Sequence, residues 1–178
     1  MSSVALVNDP AYSGQAQLTR WRAERGREDG MEADTNEQKY RRLIDEGFNK
    51  GNLAAVDEIV SADLQEHENM PPGITPGREG LKALISGMRA GFPDQKSTIE
   101  DIAVDGDKIW SRIVIRGTNT GPFMGMPPSG KRVTVDVMDL CRFSGGKIVE
   151  HWGLTDNLAM MQQLGAIPAP GEAAQARL

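Results

Sequence analysis

Three side chains in this chain of 178 residues carry chemistry suited to proton transfer near neutral pH. His67 and His151 are the two histidines, and Asp139 stands in the strand-like run KRVTVDVMDLCRF, just before the run KIVEHW that holds His151. Histidine titrates close to pH 7, and a neighbouring carboxylate can orient its ring. Side chains alternate between the two faces of a strand, so the register of these runs decides whether Asp139 and His151 meet.

The segment Ser-Gly-Gly at 144–146 predicts a three-residue hairpin loop, and that loop places Asp139 opposite His151. Opposed Cβ atoms lie about 4.5–5.5 Å apart, close enough for a carboxylate to hold an imidazole. The carboxylate would raise the pKa of His151, whereas apolar surroundings would lower it. A two-residue loop would instead place Asp139 opposite Trp152. The pair is either a catalytic couple or a structural ion pair, or His151 merely faces solvent at the end of its strand.

Several further side chains are candidates for ligand binding. His67 either orients a substrate, acts as a second acid/base, or is a loop histidine between two glutamates. Met124 and Met126 offer soft, flexible side chains that suit an irregular apolar ligand but also fill cores. Arg112 is either a pocket cation or a surface charge. The predicted substrate-binding residues are His67, Phe92, Arg112, Met124 and Met126.

The first elements that must position these residues are predicted to be helices. A period of 3.6 predicts a helix that begins near Thr35 and carries Tyr40 on its apolar face. A second helix follows Asn52, with an apolar stripe that continues to Val60. A third helix covers 81–88. No strand is predicted before Phe92.

After Phe92 the apolar period changes to two, which predicts an antiparallel meander. Residues 97–121 form a hairpin with its turn at DGD, and the two runs described above add two strands. A last short helix is capped by Asp156, which we interpret as an N-cap rather than a catalytic acid, and ends at Gly165. This order predicts an α+β fold in which helices cover one face of a curved sheet.

Composition limits the function classes. The net charge of −5 gives no basic surface for nucleic acid. A single cysteine excludes an internal disulfide and a thiolate zinc site, and the two histidines show no metal-ligand spacing. No apolar run approaches the roughly 18 residues that a membrane helix needs. We expect a cytoplasmic domain over 35–167, with flexible tails at 1–34 and 168–178 and no metal.

Four segments taken together resemble the SnoaL-like polyketide cyclases, or ester cyclases, of the nuclear transport factor 2 and ketosteroid isomerase superfamily. They are NKGNLAAVDEIVSADLQEH, GREGLKALISGMRAGFPD, GTNTGPFMGMPPSGKRVTVDVMDLCRFSGGKIVEHWG and MMQQLG. The resemblance implies a cone-shaped α+β barrel around an apolar pocket. It also implies an enzyme without cofactors that forms a homodimer or homotetramer and acts on a small, largely apolar carbonyl compound.

The characterised cyclases close a ring by intramolecular aldol condensation, with a His on the penultimate strand and an Asp on the last strand as the acid/base pair. The surrounding motifs carry these positions to Asp139 and Gly153, so neither catalytic side chain is kept. Three functions therefore remain open. The chain is an acid/base enzyme that uses Asp139 and His151, a binding or dimerising module that has lost the reaction, or a hydrolase or hydroxylase on the same scaffold.

Overall fold

The computed structural model describes residues 35–71 and 73–168. The tail predicted for 1–34, and all but the first residue of the tail predicted for 168–178, lie outside the described residues. Within the described ranges the elements follow the chain as α1 Asn36–Arg42, continued by a π-helical segment Leu43–Asn49, α2 Leu53–Ile59, β1 Val60–Glu66, α3 Arg78–Gly91, β2 Lys96–Asp105, β3 Lys108–Thr118, β4 Arg132–Ser144, β5 Lys147–Thr155 and α4 Asn157–Leu164.

The five strands form one mixed sheet in the order β1-β5-β4-β3-β2. Strands β2 to β5 are antiparallel neighbours, as the period of two predicted, and β1 runs parallel to β5. The prediction of a purely antiparallel sheet was therefore wrong at one edge. Helix α2 ends at Ile59 and β1 begins at Val60, so the predicted helical stripe ends one residue too late. The α+β class, with helices over one face of a curved sheet, is confirmed.

Helix α1 begins with a capping box. The Thr35 hydroxyl accepts a hydrogen bond from the backbone N–H of Gln38, whose side chain accepts one from the backbone N–H of Thr35. The helix widens into π-helical turns at Leu43 and carries Tyr40 into the core at 1% exposure. Helix α1 thus packs a phenol, and not a purely apolar side chain, against the sheet.

The burial pattern of strand β4 shows that the sheet has one covered face and one open face. Its buried residues alternate with exposed ones, as expected for a strand covered on one side. The covered side chains, together with those of β3 and the helices, make up the main hydrophobic core around Tyr40 and Ile113 and a second cluster around Phe92 and Val135. Functional side chains on the covered face therefore project into apolar surroundings.

The turn between β4 and β5 has two residues, not the predicted three. Gly145 and Gly146 both adopt positive φ, at 57° and 74°, and Ser144 pairs with Lys147. Two consecutive positive φ values suit a type I′ turn, which glycine forms without steric cost. A β-bulge follows at once, because Phe143 pairs with Ile148 while Arg142 pairs with Glu150. One residue of β5, at position 149, has no partner across the ladder.

The bulge restores the orientation that the loop prediction required. A two-residue turn alone would place Asp139 opposite Trp152, but the extra residue shifts the register so that Asp139 lies opposite Gly153 and Cys141 lies opposite His151. The predicted pairing of Asp139 with His151 was therefore wrong by two residues. Both side chains nevertheless share the covered face, since a shift of two preserves the face.

Candidate active site

His151 lies between two carboxylates from neighbouring strands. Glu66 at the end of β1 pairs in register with His151, and its Oε1 and Oε2 lie 2.8 and 2.9 Å from His151 Nδ1. On the other side, Asp139 Oδ1 lies 3.4 Å from His151 Nε2. The side chains of His151 and Glu66 are 17% and 4% exposed. The parallel pairing of β1 with β5 is what delivers the carboxylate of Glu66.

The charge state of His151 follows from these neighbours. Burial alone would lower its pKa, but hydrogen bonding to Asp139 and Glu66 and the negative charge of both carboxylates raise the pKa of His151 to about 10. The ring is therefore an imidazolium near neutral pH, and both of its nitrogens are donors. Nδ1–H donates to Glu66. Nε2–H is held less closely, because Asp139 is 0.6 Å farther away than Glu66, as 3.4 minus 2.8 Å.

A buried phenol holds the Asp139 carboxylate oxygen that does not face His151 Nε2. The Tyr40 hydroxyl donates to Asp139 Oδ2 at 2.9 Å and lies 2.5 Å from Ser111 Oγ. Since the phenol proton is engaged by Asp139, the Ser111 hydroxyl donates to the Tyr40 oxygen. Burial, reinforced by the charge of Asp139, raises the pKa of Tyr40 well above its ordinary value, so the phenol keeps its proton. Tyr40 thus acts as a neutral donor to Asp139.

Gly153 makes room for another carboxylate. A Cβ added to Gly153 would lie 2.4 Å from Glu68 Oε2 and 2.9 Å from His151 Cε1. The Glu68 carboxylate is anchored by the Thr155 hydroxyl, which donates to Oε1 at 2.9 Å. Desolvation raises the pKa of Glu68, in opposition to the hydrogen bond from Thr155 and the charge of His151. Glu68 thus places a carboxylate directly across the ladder from Asp139, where β5 itself has no side chain.

These groups border a cavity of about 140 Å³ whose other walls are largely apolar. The polar cluster lies beside Asp139 and Cys141. On β4 these two residues follow the valines that line the rest of the cavity along that strand. Burial and the nearby charge of Asp139 raise the pKa of the Cys141 thiol well above its ordinary value, so the thiol is neutral. The arrangement offers carboxylates and one imidazolium to a ligand held in apolar surroundings. This combination is suited to proton transfer to and from a carbon atom.

The structure brings four of the seven sequence-predicted site residues to the cavity. Asp139 and His151 meet there, and Phe92 and Met124 line its wall. Met126 packs against the second hydrophobic cluster instead, contrary to its predicted role in substrate binding. The remaining two residues also belong to neither the polar cluster nor the cavity wall.

Those two residues lie on the open face of the sheet. His67 stacks on Trp152 with ring centroids 4.6 Å apart, and its Nε2 lies 2.9 Å from Glu150 Oε1. Arg112 forms an ion pair with Asp101 at 2.9 Å. Successive side chains of a strand alternate in direction, so His67 points away from the face that Glu66 occupies. Neither His67 nor Arg112 lines the cavity, contrary to their predicted role in substrate binding.

Sequence reasoning missed Tyr40, Ser111, Glu66 and Glu68. The spacing E-H-E at 66–68 contained a signal, since residues two apart on an extended segment share a face. Among residues 35–71 and 73–168, no group of three or more His, Cys, Asp or Glu side chains is arranged to hold a metal ion. No helix in the same ranges is long and apolar enough to cross a membrane.

The chain belongs to the SnoaL-like polyketide cyclase family, whose model matches residues 38–164. Nogalonic acid methyl ester cyclase of Streptomyces nogalater is 28% identical over 120 residues, which cover 66% of this chain and 89% of the relative. Aklanonic acid methyl ester cyclase DauD of Streptomyces sp. strain C5 is 28% identical over 133 residues, which cover 70% of this chain and 78% of the relative. IdmH of Streptomyces antibioticus, described as a candidate polyketide cyclase, is 35% identical, with a TM-score of 0.64 over 74% of this chain and 99% of IdmH.

Proposed function

We propose that this protein catalyses acid/base chemistry without a cofactor, either aldol cyclisation or enolisation, on a small and largely apolar polyketide-like carbonyl compound. The observation that carries this proposal is the placement of the Glu68 carboxylate in the space beside Gly153, across from Asp139 and next to His151. Carboxylates therefore stand at both positions where the resemblance places the family's acid/base pair. Asp139 supplies one of them, and Glu68 supplies the other from beside Gly153. Sequence reasoning gave Asp139 and His151 a shared proton, and the charge state of His151 favours a different division of roles.

Glu68 is the base in this proposal. A carbon between two carbonyl groups bears an acidic proton, and a carboxylate can remove it when its pKa lies closer to the working pH than that of an exposed glutamate. Burial raises the pKa of Glu68, and its Oε1 holds one hydrogen bond, from Thr155, which leaves Oε2 to face the ligand. Proton removal converts Glu68 to the neutral acid and the substrate to an enolate.

His151 stabilises the negative charge that develops on the enolate oxygen. Its Nε2–H is less closely held than Nδ1–H and can donate to that oxygen, while the imidazolium charge favours the enolate. The enolate carbon then attacks a second carbonyl carbon, one C–C bond forms, and the carbonyl electron pair becomes an alkoxide. Glu68 returns the proton to the alkoxide. Ring closure is an isomerisation, so no proton, electron or other atom is gained or lost.

The remaining polar residues position this machinery. Glu66 fixes the ring of His151 through Nδ1, and Asp139 holds the other edge of the ring. Tyr40, supported by Ser111, holds the Asp139 carboxylate in place beside His151. Such preorganised charges in apolar surroundings act more strongly than the same groups in water.

The esters named for two curated relatives are the first substrates to test, namely nogalonic acid methyl ester and aklanonic acid methyl ester. The wild-type chain should convert at least one of them to a product of identical mass and different retention in liquid chromatography with mass spectrometry. We expect Asp139→Asn and His151→Gln to lower kcat/KM by about 10²-fold or more. The matched control is Asp136→Asn, because Asp136 lies on the same strand but pairs with Arg112 on the open face.

Binding of these esters without turnover by the wild-type chain would favour the alternative, a non-catalytic binding module. Equal turnover in wild type, Asp139→Asn and His151→Gln would contradict the acid/base proposal directly. Release of methanol, seen as a mass loss, would instead indicate the hydrolase alternative on the same scaffold.

We further propose that the chain assembles as a homodimer or homotetramer through the open face of the sheet. Trp110, Met138 and Leu154 are 51%, 50% and 73% exposed, and Met138 lies directly opposite Leu154 across adjacent strands. A continuous apolar patch on a sheet is a common site of self-association. Light scattering should show Leu154→Lys shifting the mass to that of a monomer. Leu158→Lys on α4 should leave the assembly intact, and a monomeric wild type would contradict the proposal.

A further inference from the structure

Gln95 and Ser97 have polar side-chain atoms that the fold itself does not use. Both residues line the cavity, at 5% and 4% exposure. In the described part of the chain, Gln95 Nε2, Gln95 Oε1 and Ser97 Oγ have no hydrogen-bond partner. A buried polar group without a partner destabilises the folded state, so native proteins retain such groups mainly where they serve another purpose.

The main chain at these two positions forms hydrogen bonds with other parts of the fold. Ser97 N–H donates to Asn49 Oδ1 at 2.6 Å, and Asn49 Nδ2 donates to the Ser97 carbonyl at 3.0 Å. Gln95 N–H donates to the Phe92 carbonyl at 3.0 Å. The backbone is thus held in place by other groups, and the two side chains remain available to a molecule in the cavity.

The location of this pair differs from that of the polar cluster around His151. Ser97 pairs with Ile115, which pairs with Val135 on β4, four residues before Asp139. Four residues of strand span about 13 Å, so the two polar regions of the cavity are well separated along the strand direction. The wall between them is built from apolar side chains such as Ile113 and Val137.

We propose that Gln95 and Ser97 form a second subsite, which hydrogen-bonds a neutral oxygen substituent on the part of the ligand remote from the reacting carbons. This inference rests on the proposed function and adds a specificity-determining pair to it. A glutamine amide and a serine hydroxyl each offer a donor and an acceptor, the complement of a phenol beside a carbonyl group. Such buried hydrogen bonds discriminate strongly between ligands that carry the group and ligands that lack it.

The charge of the cavity wall narrows the ligand class further. Among residues 35–71 and 73–168, no Lys or Arg side chain lines the cavity, whereas Glu66, Glu68 and Asp139 do. A carboxylate at this subsite would be desolvated without a cation beside it, because the imidazolium of His151 belongs to the other polar region and is already paired with Glu66 and Asp139. The subsite therefore favours phenols, ketones or esters over free acids.

Equilibrium binding of three flat probes tests the subsite: anthraquinone, 2-hydroxyanthraquinone and anthraquinone-2-carboxylate. The wild-type chain should bind the hydroxyl compound about fivefold to tenfold more tightly than the parent, the value of one hydrogen bond, and should bind the carboxylate weakest. Gln95→Met combined with Ser97→Ala should abolish the preference for the hydroxyl compound. A preference retained in the double variant, or no preference in wild type, would overturn the inference.

Thermal unfolding supplies a readout that does not depend on the probes. Removing unpartnered buried polar atoms should leave Tm of the double variant unchanged or raised by a few degrees. The matched control is Gln163→Leu, because the Gln163 amide accepts from Thr134 N–H at 2.8 Å and donates to the Thr134 carbonyl at 2.8 Å. That control should lower Tm and keep the probe preference. A fall in Tm of the double variant comparable with that of the control would assign Gln95 and Ser97 to the fold and overturn the inference.

The two proposals fail separately. If Glu68→Gln leaves ring closure unchanged while Gln95→Met with Ser97→Ala abolishes the probe preference, the subsite stands and the acid/base proposal falls. If Glu68→Gln stops ring closure while the double variant keeps the probe preference, only the subsite proposal is contradicted.

Discussion

The carboxylate of Glu68 lies where a side chain on Gly153 would begin, with Oε2 only 2.4 Å from the Cβ that any other residue would add there. Glu68 follows β1 and Gly153 belongs to β5, so the parallel edge strand delivers a carboxylate that β5 lacks. The acid/base function that we propose therefore does not depend on an aspartate at position 153. It depends on a small residue at position 153.

Exchanging the two positions tests this relationship. Gly153→Asp alone should displace Glu68 and lower kcat/KM for ring closure, because both carboxylates cannot occupy the same space. Glu68→Ala alone should lower kcat/KM by about 10²–10⁴-fold, the usual value of a general base. The double variant Glu68→Ala with Gly153→Asp should recover part of that loss. A gain of activity in Gly153→Asp alone would contradict the assignment of Glu68.

The raised pKa of His151 predicts how stability changes with pH. The folded state holds the proton up to about pH 10, whereas the unfolded state releases it near 6.5. This contribution is complete below pH 6.5 and is lost as the pH rises towards 10. Between pH 6.5 and 8.5, a range in which Cys141 and Tyr40 do not yet titrate in the unfolded state, the free energy of unfolding should fall by about 2 kcal/mol from this cause. Urea unfolding should show this decline in wild type and a flatter profile in His151→Gln; parallel profiles would rule out an imidazolium held by the folded state.

Tyr40 should matter through Asp139. Tyr40→Phe removes the donor to Asp139 Oδ2 and leaves Ser111 without its acceptor, so the free energy of unfolding should fall by about 1–3 kcal/mol. Because Tyr40 positions Asp139 rather than touching the reacting carbons, kcat should fall more than KM changes. A double-mutant cycle with Asp139→Asn should show strong coupling. Additive losses in kcat would place Tyr40 outside the site.

The bulge at Val149 accommodates one extra residue of β5 between two regular stretches of the ladder. Deleting Val149 should close the bulge without moving any later β5 side chain, because Ile148 stays opposite Phe143 and His151 stays opposite Cys141. Ring closure should therefore persist, since His151 and the space at Gly153 remain on the covered face. Circular dichroism checks that the sheet persists. A folded deletion variant without turnover would show that the bulge itself, and not the register, controls the site.

Much of the fold was predictable because its local signals agree with the tertiary structure. The change of apolar period at Phe92 predicted β2 to β5, and Asp156 caps α4 by accepting from Ala159 N–H at 2.9 Å while Gly165 ends it at φ 78°. Strand β1 was missed because α2 passes into it without an intervening residue, so Val60 extends a helical stripe. Parallel pairing of β1 with β5 leaves no hairpin turn in the sequence to reveal it.

The site was predicted in part, and for a partly incorrect reason. Asp139 and His151 share a face because a two-residue turn is followed by a bulge, and a bulge has no sequence signal as clear as that of a glycine turn. Tyr40 was assigned to the core by its apolar ring, which concealed the hydroxyl that reaches Asp139. Glu68 went unrecognised because its contact with Gly153 spans 85 positions, as 153 minus 68, and depends on the edge strand.

The pH dependence of kcat/KM for ring closure, compared between wild type and Glu68→Gln, tests the central claim most directly. A carboxylate base must be ionised, and burial raises the pKa of Glu68 above the ordinary value of 4.5. Wild-type activity should therefore rise with pH through a limb whose midpoint lies above 4.5, and Glu68→Gln should lose both that limb and most of the rate. An identical limb in Glu68→Gln, at an undiminished rate, would contradict the assignment of Glu68 as the base.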